Sequence, residues 1–182
     1  MKKIRPIAVL ISDIHYSLPT LKLADAAMRQ AIDKANDLGV PLVVAGDLHD
    51  TKANLRGECV NSMIETFKLL KHGNKALVLV GNHDKINEKS EEHSLNFLEG
   101  HVNFVVDLPC KYDVETDDGD VHLGYCIPYY HDVDELRKYL KTIPKGSRLI
   151  MHQGILGSNA GDYFQDKSAL NPEDVASFRV IS

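Results

Sequence analysis

Four short apolar runs in this chain are each followed at once by a residue able to hold a metal ion. Asp13 and His15 follow Ile7–Ser12, Asp47 follows Pro41–Gly46, Asn82 and His83 follow Ala76–Gly81, and His152 follows Arg148–Met151. Uninterrupted apolar runs of this length read as strands covered on both faces, the habit of parallel sheets. Between the first two, Leu21–Leu38 can place Leu23, Ala27, Ala31, Ala35 and Leu38 on one helical face, and Gly39 stops it. Cys59–His72 repeats the helical pattern with Met63, Ile64, Phe67 and Leu70, and ends before Gly73. Strand, helix, strand, helix, strand in that order implies right-handed crossovers and an α/β sheet with helices on both faces.

The texture changes from Val102 onward. Val102–Val106, Lys111–Glu115 and Val121–Tyr125 are short strand candidates, the latter two separated by the turn signal Thr116-Asp117-Asp118-Gly119-Asp120. Ser90–Leu98, Asp132–Leu140 and Pro172–Ala176 are expected helices, with Arg148–Met151 and Phe178–Ile181 as further strands. No repeat or low-complexity segment marks a boundary. A chain of 182 residues fits one domain, residues 1–182, and buries roughly 70% of its unfolded surface.

Charge and cysteine usage narrow the function classes. Lys plus Arg is 21 and Asp plus Glu is 26, a formal charge of -5. That balance argues against a protein that coats DNA nonspecifically, but not against a nuclease whose metal ions meet the phosphate. Cys59, Cys110 and Cys126 include no CxxC pair, and an odd, scattered set favours reduced thiols in the cytoplasm. Lys2, Lys3 and Arg5 precede an apolar run, but Asp13 cuts it too short for a signal or membrane segment.

In open α/β sheets, ligands bind beyond the carboxyl ends of the strands, where Asp13, Asp47, Asn82 and His152 are expected. In an extended segment, Asp13 and His15 point to the same side. Gly46, without a Cβ, permits a sharp turn or close approach by another segment ahead of Asp47. Carboxylate oxygen mixed with imidazole nitrogen suits Mn²⁺, Fe²⁺ or Zn²⁺ better than calcium, and a thiolate zinc site has no cysteines near it. Taken singly, each donor reads as a cap, an Asx-turn residue or an ordinary loop histidine. Their coincidence at one sheet edge selects the metal reading.

Asp13-Ile14-His15, Gly46-Asp47-Leu48-His49-Asp50, Gly81-Asn82-His83-Asp84 and Met151-His152-Gln153-Gly154 resemble the successive motifs of the calcineurin-like metallophosphoesterase superfamily, over residues 7–154. The resemblance implies a four-layer α/β/β/α sandwich with two divalent ions, Mn²⁺ foremost and Fe²⁺ or Zn²⁺ as alternatives. Asp13 and His15 would bind the first ion, Asp47 would bridge, and Asn82 and His152 would bind the second. His83 would stand beside the scissile phosphate as a catalytic residue. Asp84 is placed to orient His83 through its other ring nitrogen, with capping of the following turn as the alternative. A water held between two such ions would attack phosphorus in line with the departing oxygen.

The family normally continues into Gly-His-x-His after a strand like Phe178–Ile181, whereas this chain ends at Ser182. The expectation is therefore a member truncated at its C-terminus, with a noncatalytic metal-binding or interaction domain as the competing class. Neither His101 nor His122 has the strand-end context of a substitute. The Gly-Asp-Leu-His-Asp and Gly-Asn-His-Asp forms resemble phosphodiesterases and DNA-repair exonuclease catalytic subunits, and lack the Arg and Glu of the Ser/Thr phosphatase motifs. The implied function is a phosphodiesterase or nuclease acting on a phosphate ester, DNA or RNA included, with phosphomonoesterase or nucleotide pyrophosphatase as alternatives. Tyr16, Lys52, Arg56 and Lys85 are candidate phosphate contacts, and Tyr125, Tyr129 and Tyr130 candidate stacking surfaces. Solvated lysines and packing tyrosines explain them equally well. His49 and Asp50 touch either substrate and metal-bound water or only their own loop, and Asn159–Lys167 forms either a wall of the site or a surface loop.

Overall fold

Alternation along the buried strands sets the architecture, because a residue and its neighbour face opposite sides of a sheet. The computed structural model describes residues 6–71, 75–87, 89–116, 119–158 and 169–181, with backbone alone for the part of this within 114–122. Strands β1 (Val9–Ile11), β2 (Leu42–Val44), β3 (Ala76–Leu79) and β4 (Phe104–Val106) form an all-parallel sheet in sequence order. Leu42, Val44, Ala76 and Val78 point one way, into a core shared with Met28, Ile32 and Ala35 of α1 (Leu21–Leu38) and Met63 and Phe67 of α2 (Gly57–Phe67). Val43, Leu77 and Leu79 point the other way, against Leu123, Cys126 and Ile150.

Those last three residues belong to a second sheet. The antiparallel hairpin of β5 (Cys110–Thr116) and β6 (Gly119–Ile127) is extended in parallel by β7 (Arg148–Met151) and β8 (Arg179–Ile181). On its outer face, Ile127, Leu149 and Met151 pack with Leu136 and Leu140 of α3 (Val133–Leu140) and Val175 of α4 (Pro172–Val175). Three cores therefore separate four layers, giving the α/β/β/α sandwich. The first sheet carries helices on one face only; its other face is covered by the second sheet, a correction to the expectation from strand and helix order. No helix among the described residues is long and apolar enough to cross a membrane.

Several local readings meet their physical cause here. Gly39 ends α1 in the left-handed conformation at φ 65, with its N–H on the Ala35 carbonyl. The buried stripe of α1 is Ala24, Met28, Ala31, Ile32 and Ala35, while Leu23 lies 74% exposed. Its buried face is thus rotated from the expected one. Asp132 caps α3 by accepting from the N–H groups of Asp134 and Glu135. The helix expected at Ser90–Leu98 reduces to a 3₁₀ turn at Leu95–Leu98. Upstream of it, Ser94 N–H donates to the Asp84 carbonyl and Ile86 N–H to the Glu92 carbonyl, so the segment is folded back on the third motif instead. Gly73, the Asp117-Asp118 turn and Asn159–Lys167 lie outside the described residues.

Candidate metal centre

The loops leaving β1 and β2 stay paired beyond the strands. Asp13 N–H donates to the Gly46 carbonyl (3.2 Å), His15 N–H to Asp47 (3.1 Å) and Tyr16 N–H to Leu48 (2.9 Å). This pairing holds three non-glycine residues in the left-handed region: Asp13 at φ 55, His15 at φ 50 and Asp47 at φ 50. Such a conformation costs roughly 1–2 kcal/mol per residue and persists where the surroundings enforce it, often at functional sites. No sequence pattern announced this strain. Gly46, at φ 97, carries both duties anticipated for it: a Cβ there would lie 2.3 Å from the His152 ring. Gly81 is as constrained, since its Cβ would meet Asp47 Oδ1 at 2.2 Å.

His152 arrives from the second sheet. Its N–H donates to the Ile127 carbonyl, and its Nδ1–H donates to the Ala45 carbonyl at 2.8 Å, joining the two sheets at their carboxyl edge. Its Nε2 then lies 3.0 Å from Asn82 Oδ1 and 3.3 Å from Asp47 Oδ2. His15 Nε2 stands 3.8 Å from both Asp13 Oδ1 and Asp47 Oδ2. Among the described residues, two groups of donors converge within 4.8 Å: Asp13, Asp47 and His152, and His15, Asp47 and His83. Asp47, only 3% exposed, belongs to both. All the expected ligands are thus brought together, and His83 joins them, with its ring edge-on to His15 at 4.9 Å.

Hydrogen bonds set the imidazole tautomers. His83 Nδ1 lies 2.8 Å from the Asp50 carbonyl, which can only accept, as can the Ala45 carbonyl facing His152 Nδ1. Both rings therefore carry their proton on Nδ1, and in the neutral form each turns an Nε2 lone pair toward the cluster, the arrangement in which histidine binds a metal. His15 Nδ1 faces Asp50 Oδ1 at 3.3 Å without an aligned hydrogen bond and is a buried nitrogen with no hydrogen-bond partner among the described residues. Asp50 thus addresses two histidines at once, through its carbonyl and its carboxylate. The sequence offered one signal for this, the final residue of Gly-Asp-Leu-His-Asp.

Charges in the cluster lean on one another. Burial works against a charge on His152, but the Asp47 carboxylate 3.3 Å away outweighs it and raises the imidazole to about 9. The His15 imidazole facing it, assisted by the Ser12 hydroxyl, outweighs partial burial and holds Asp13 at about 2. His15 is raised in turn by the facing Asp13 carboxylate. Asp47 is lowered despite its burial, by His152 and the His83 N–H, which donates to it at 2.9 Å. Protonated imidazoles thus offset the repulsion between the clustered carboxylates, a role divalent cations fill with more charge. The residues fit such ions: clustered anionic oxygens, imidazole lone pairs aimed inward and no thiolate.

Asp84 has a different task from the one expected. Fully buried, its carboxylate accepts from the backbone N–H groups of Gly81 (2.8 Å), His49 (3.2 Å) and Leu48 (3.4 Å), and it does not orient His83. It ties the loop after β2 to the loop after β3. Burial pushes its carboxyl up to about 6, against the pull of those donors. His49 is also buried: its Nδ1 accepts from Thr51 N–H and its Nε2 meets Ser94 Oγ, whose hydroxyl reaches the Asp84 carbonyl. Burial drives His49 down to about 4, so it is a neutral loop residue. Tyr16 is 1% exposed with its hydroxyl on Asp25, which makes it packing and not a phosphate contact. His101 is in neither donor group.

Residues 8–170 match the family described as Calcineurin-like phosphoesterase. No curated protein matches the chain.

Proposed function

The chain belongs to the calcineurin-like phosphoesterase family, and from that premise we propose that it hydrolyses phosphodiesters with two divalent ions, preferably Mn²⁺. The observation that carries the reading is Asp47, a nearly buried carboxylate shared by two groups of metal donors. The family resemblance assigns Asp13 and His15 to one ion and Asn82 and His152 to the other, with Asp47 shared; the donor groups themselves set Asp13 with His152 and His15 with His83, around the same Asp47. Ions bound there would supply positive charge to the phosphate oxygens and would lower the pKa of a water. The Nδ1–H of His83 is anchored on the Asp50 carbonyl, so Nε2 is the atom free to face substrate. Protonated, that nitrogen donates to the departing oxygen, the part of a general acid. Asp50 positions His83 and His15, while Asp84 holds the loops from which Asp47 and His83 project.

Preference for diesters over monoesters rests on the form of the second and third motifs, and nucleic-acid backbones fall within that class. The test is Mn²⁺-dependent hydrolysis of bis(p-nitrophenyl) phosphate, with Asp47→Asn as control. Metal-stimulated turnover that disappears in the variant supports the assignment. A folded, metal-binding protein with no turnover sinks it and leaves a noncatalytic metal-binding domain.

A further inference from the structure

The two loops that bring His15 and Asp47 to the centre continue past it and build a cleft. Tyr16 to Pro19 on one side and Asp50 to Cys59 on the other contribute its lining around a volume of about 310 Å³. Asp50 belongs to both places: it lines the cleft, its carbonyl holds His83 and its carboxylate faces His15. Beyond Asp50 the lining turns apolar, with Leu18, Pro19, Leu55 and Cys59, and Arg56 stands 61% exposed among them, its guanidinium in a surface ion pair with Glu58 at 3.6 Å that leaves its face open. Leu18 is a large apolar side chain left 43% exposed. The cleft beyond Lys85 is different in kind, lined by Lys85, Asp107, His131, Asp132 and Glu135 with two tyrosines.

An apolar wall beside a phosphate site offers nothing to the phosphate itself. It holds water poorly, and an apolar group that displaces such water gains affinity. The volume is at the lower end for ligand pockets, room for one compact group and not for an extended chain. A guanidinium beside it favours a ring, over whose face it can stack. Resting on the phosphodiester reading, we propose that this cleft receives a flat aromatic group of the substrate, packed against Leu18 and Leu55 and covered by Arg56. The preferred substrates are then aryl or nucleoside phosphoesters.

The experiment is calorimetric titration of the full chain, saturated with Mn²⁺, using phenylphosphonate and methylphosphonate. Phenylphosphonate binds tighter by at least about tenfold, the discrimination one apolar group typically supplies in a pocket. Leu55→Asn and the more exposed Leu18→Asn each bring that ratio toward one. Adenosine 5′-monophosphate against ribose 5-phosphate repeats the comparison with the ring one sugar away. Preference in this pair too assigns the cleft to a nucleobase, and preference in the first pair alone to a ring attached at the phosphate. Equal binding of both phosphonates overturns the inference while leaving the metal centre intact, as does a preference that survives both leucine variants. If neither phosphonate binds the Mn²⁺-loaded protein, the phosphodiester reading fails and the inference falls with it.

Discussion

Replacing Gly46 by alanine tests the centre without touching any donor. Two penalties apply. At φ 97 an L side chain is strained, at roughly 1–2 kcal/mol. The new methyl also lies 2.3 Å from His152 Cγ and Nδ1 and 2.7 Å from its Cβ. That ring cannot swing aside freely, because Nδ1–H is bonded to the Ala45 carbonyl. Overpacking of this kind adds roughly 1–3 kcal/mol. Gly39→Ala is the matched control: its φ is 65, but nothing lies within 4 Å of the added methyl. In metal-free buffer, denaturant midpoints are expected to place Gly46→Ala about 1–3 kcal/mol below Gly39→Ala, the overpacking part alone. With metal, displacement of His152 lowers Mn²⁺ affinity by about 10–100-fold, the usual cost of disturbing a ligand's support. Gly39→Ala binds as the parent does. Equal stability and equal metal affinity of the two variants would refute the packing of His152 over Gly46.

Three more outcomes follow from the same geometry. His83→Ala keeps its Mn²⁺ stoichiometry by calorimetry yet loses about 10²–10⁴ in turnover, the contribution of a positioned acid; metal lost in proportion to activity would make His83 a ligand. In the metal-free protein His152 is raised from 6.5 to about 9, so its stabilising effect is full below pH 6.5 and is lost as pH rises through 9. Metal requires the neutral ring, so Mn²⁺ affinity increases over that same window; titrations at pH 6.5 and 9 with equal affinity would contradict the Asp47–His152 pairing. Asp84→Ala strands three buried N–H groups at about 1–3 kcal/mol each and is expected to lower the denaturation midpoint more than His83→Ala; an equal or smaller loss would mean the carboxylate does not bind those loops together.

The positions of the candidate ligands were legible in the sequence because each sits where an apolar run stops, and the end of a parallel strand is a defined place. His49, Asp50 and Asp84 were not resolved in this way. One residue apart in the chain, His49 is buried against Ser94 while Asp50 faces two histidines, and no local pattern separates those fates. The buried stripe of α1 departs from the sequence periodicity for a related reason. Leu23 fits a helical period, but the sheet beneath decides which side of the helix is covered, and it covers Ala24 and Met28.

By itself, the sequence determined the order of strands and helices, the parallel pairing that order demands, the stop at Gly39 and the convergence of the candidate donors Asp13, His15, Asp47, Asn82 and His152. Periodicity and chemical type are local properties, and the chain carries them in any context. Tertiary structure alone decided that a second sheet covers the first, that three residues of the centre adopt left-handed backbone, and that Asp50 and not Asp84 serves His83. Those outcomes depend on contacts between residues far apart in the chain, such as His152 with Ala45, whose geometry exists only once both sheets are packed.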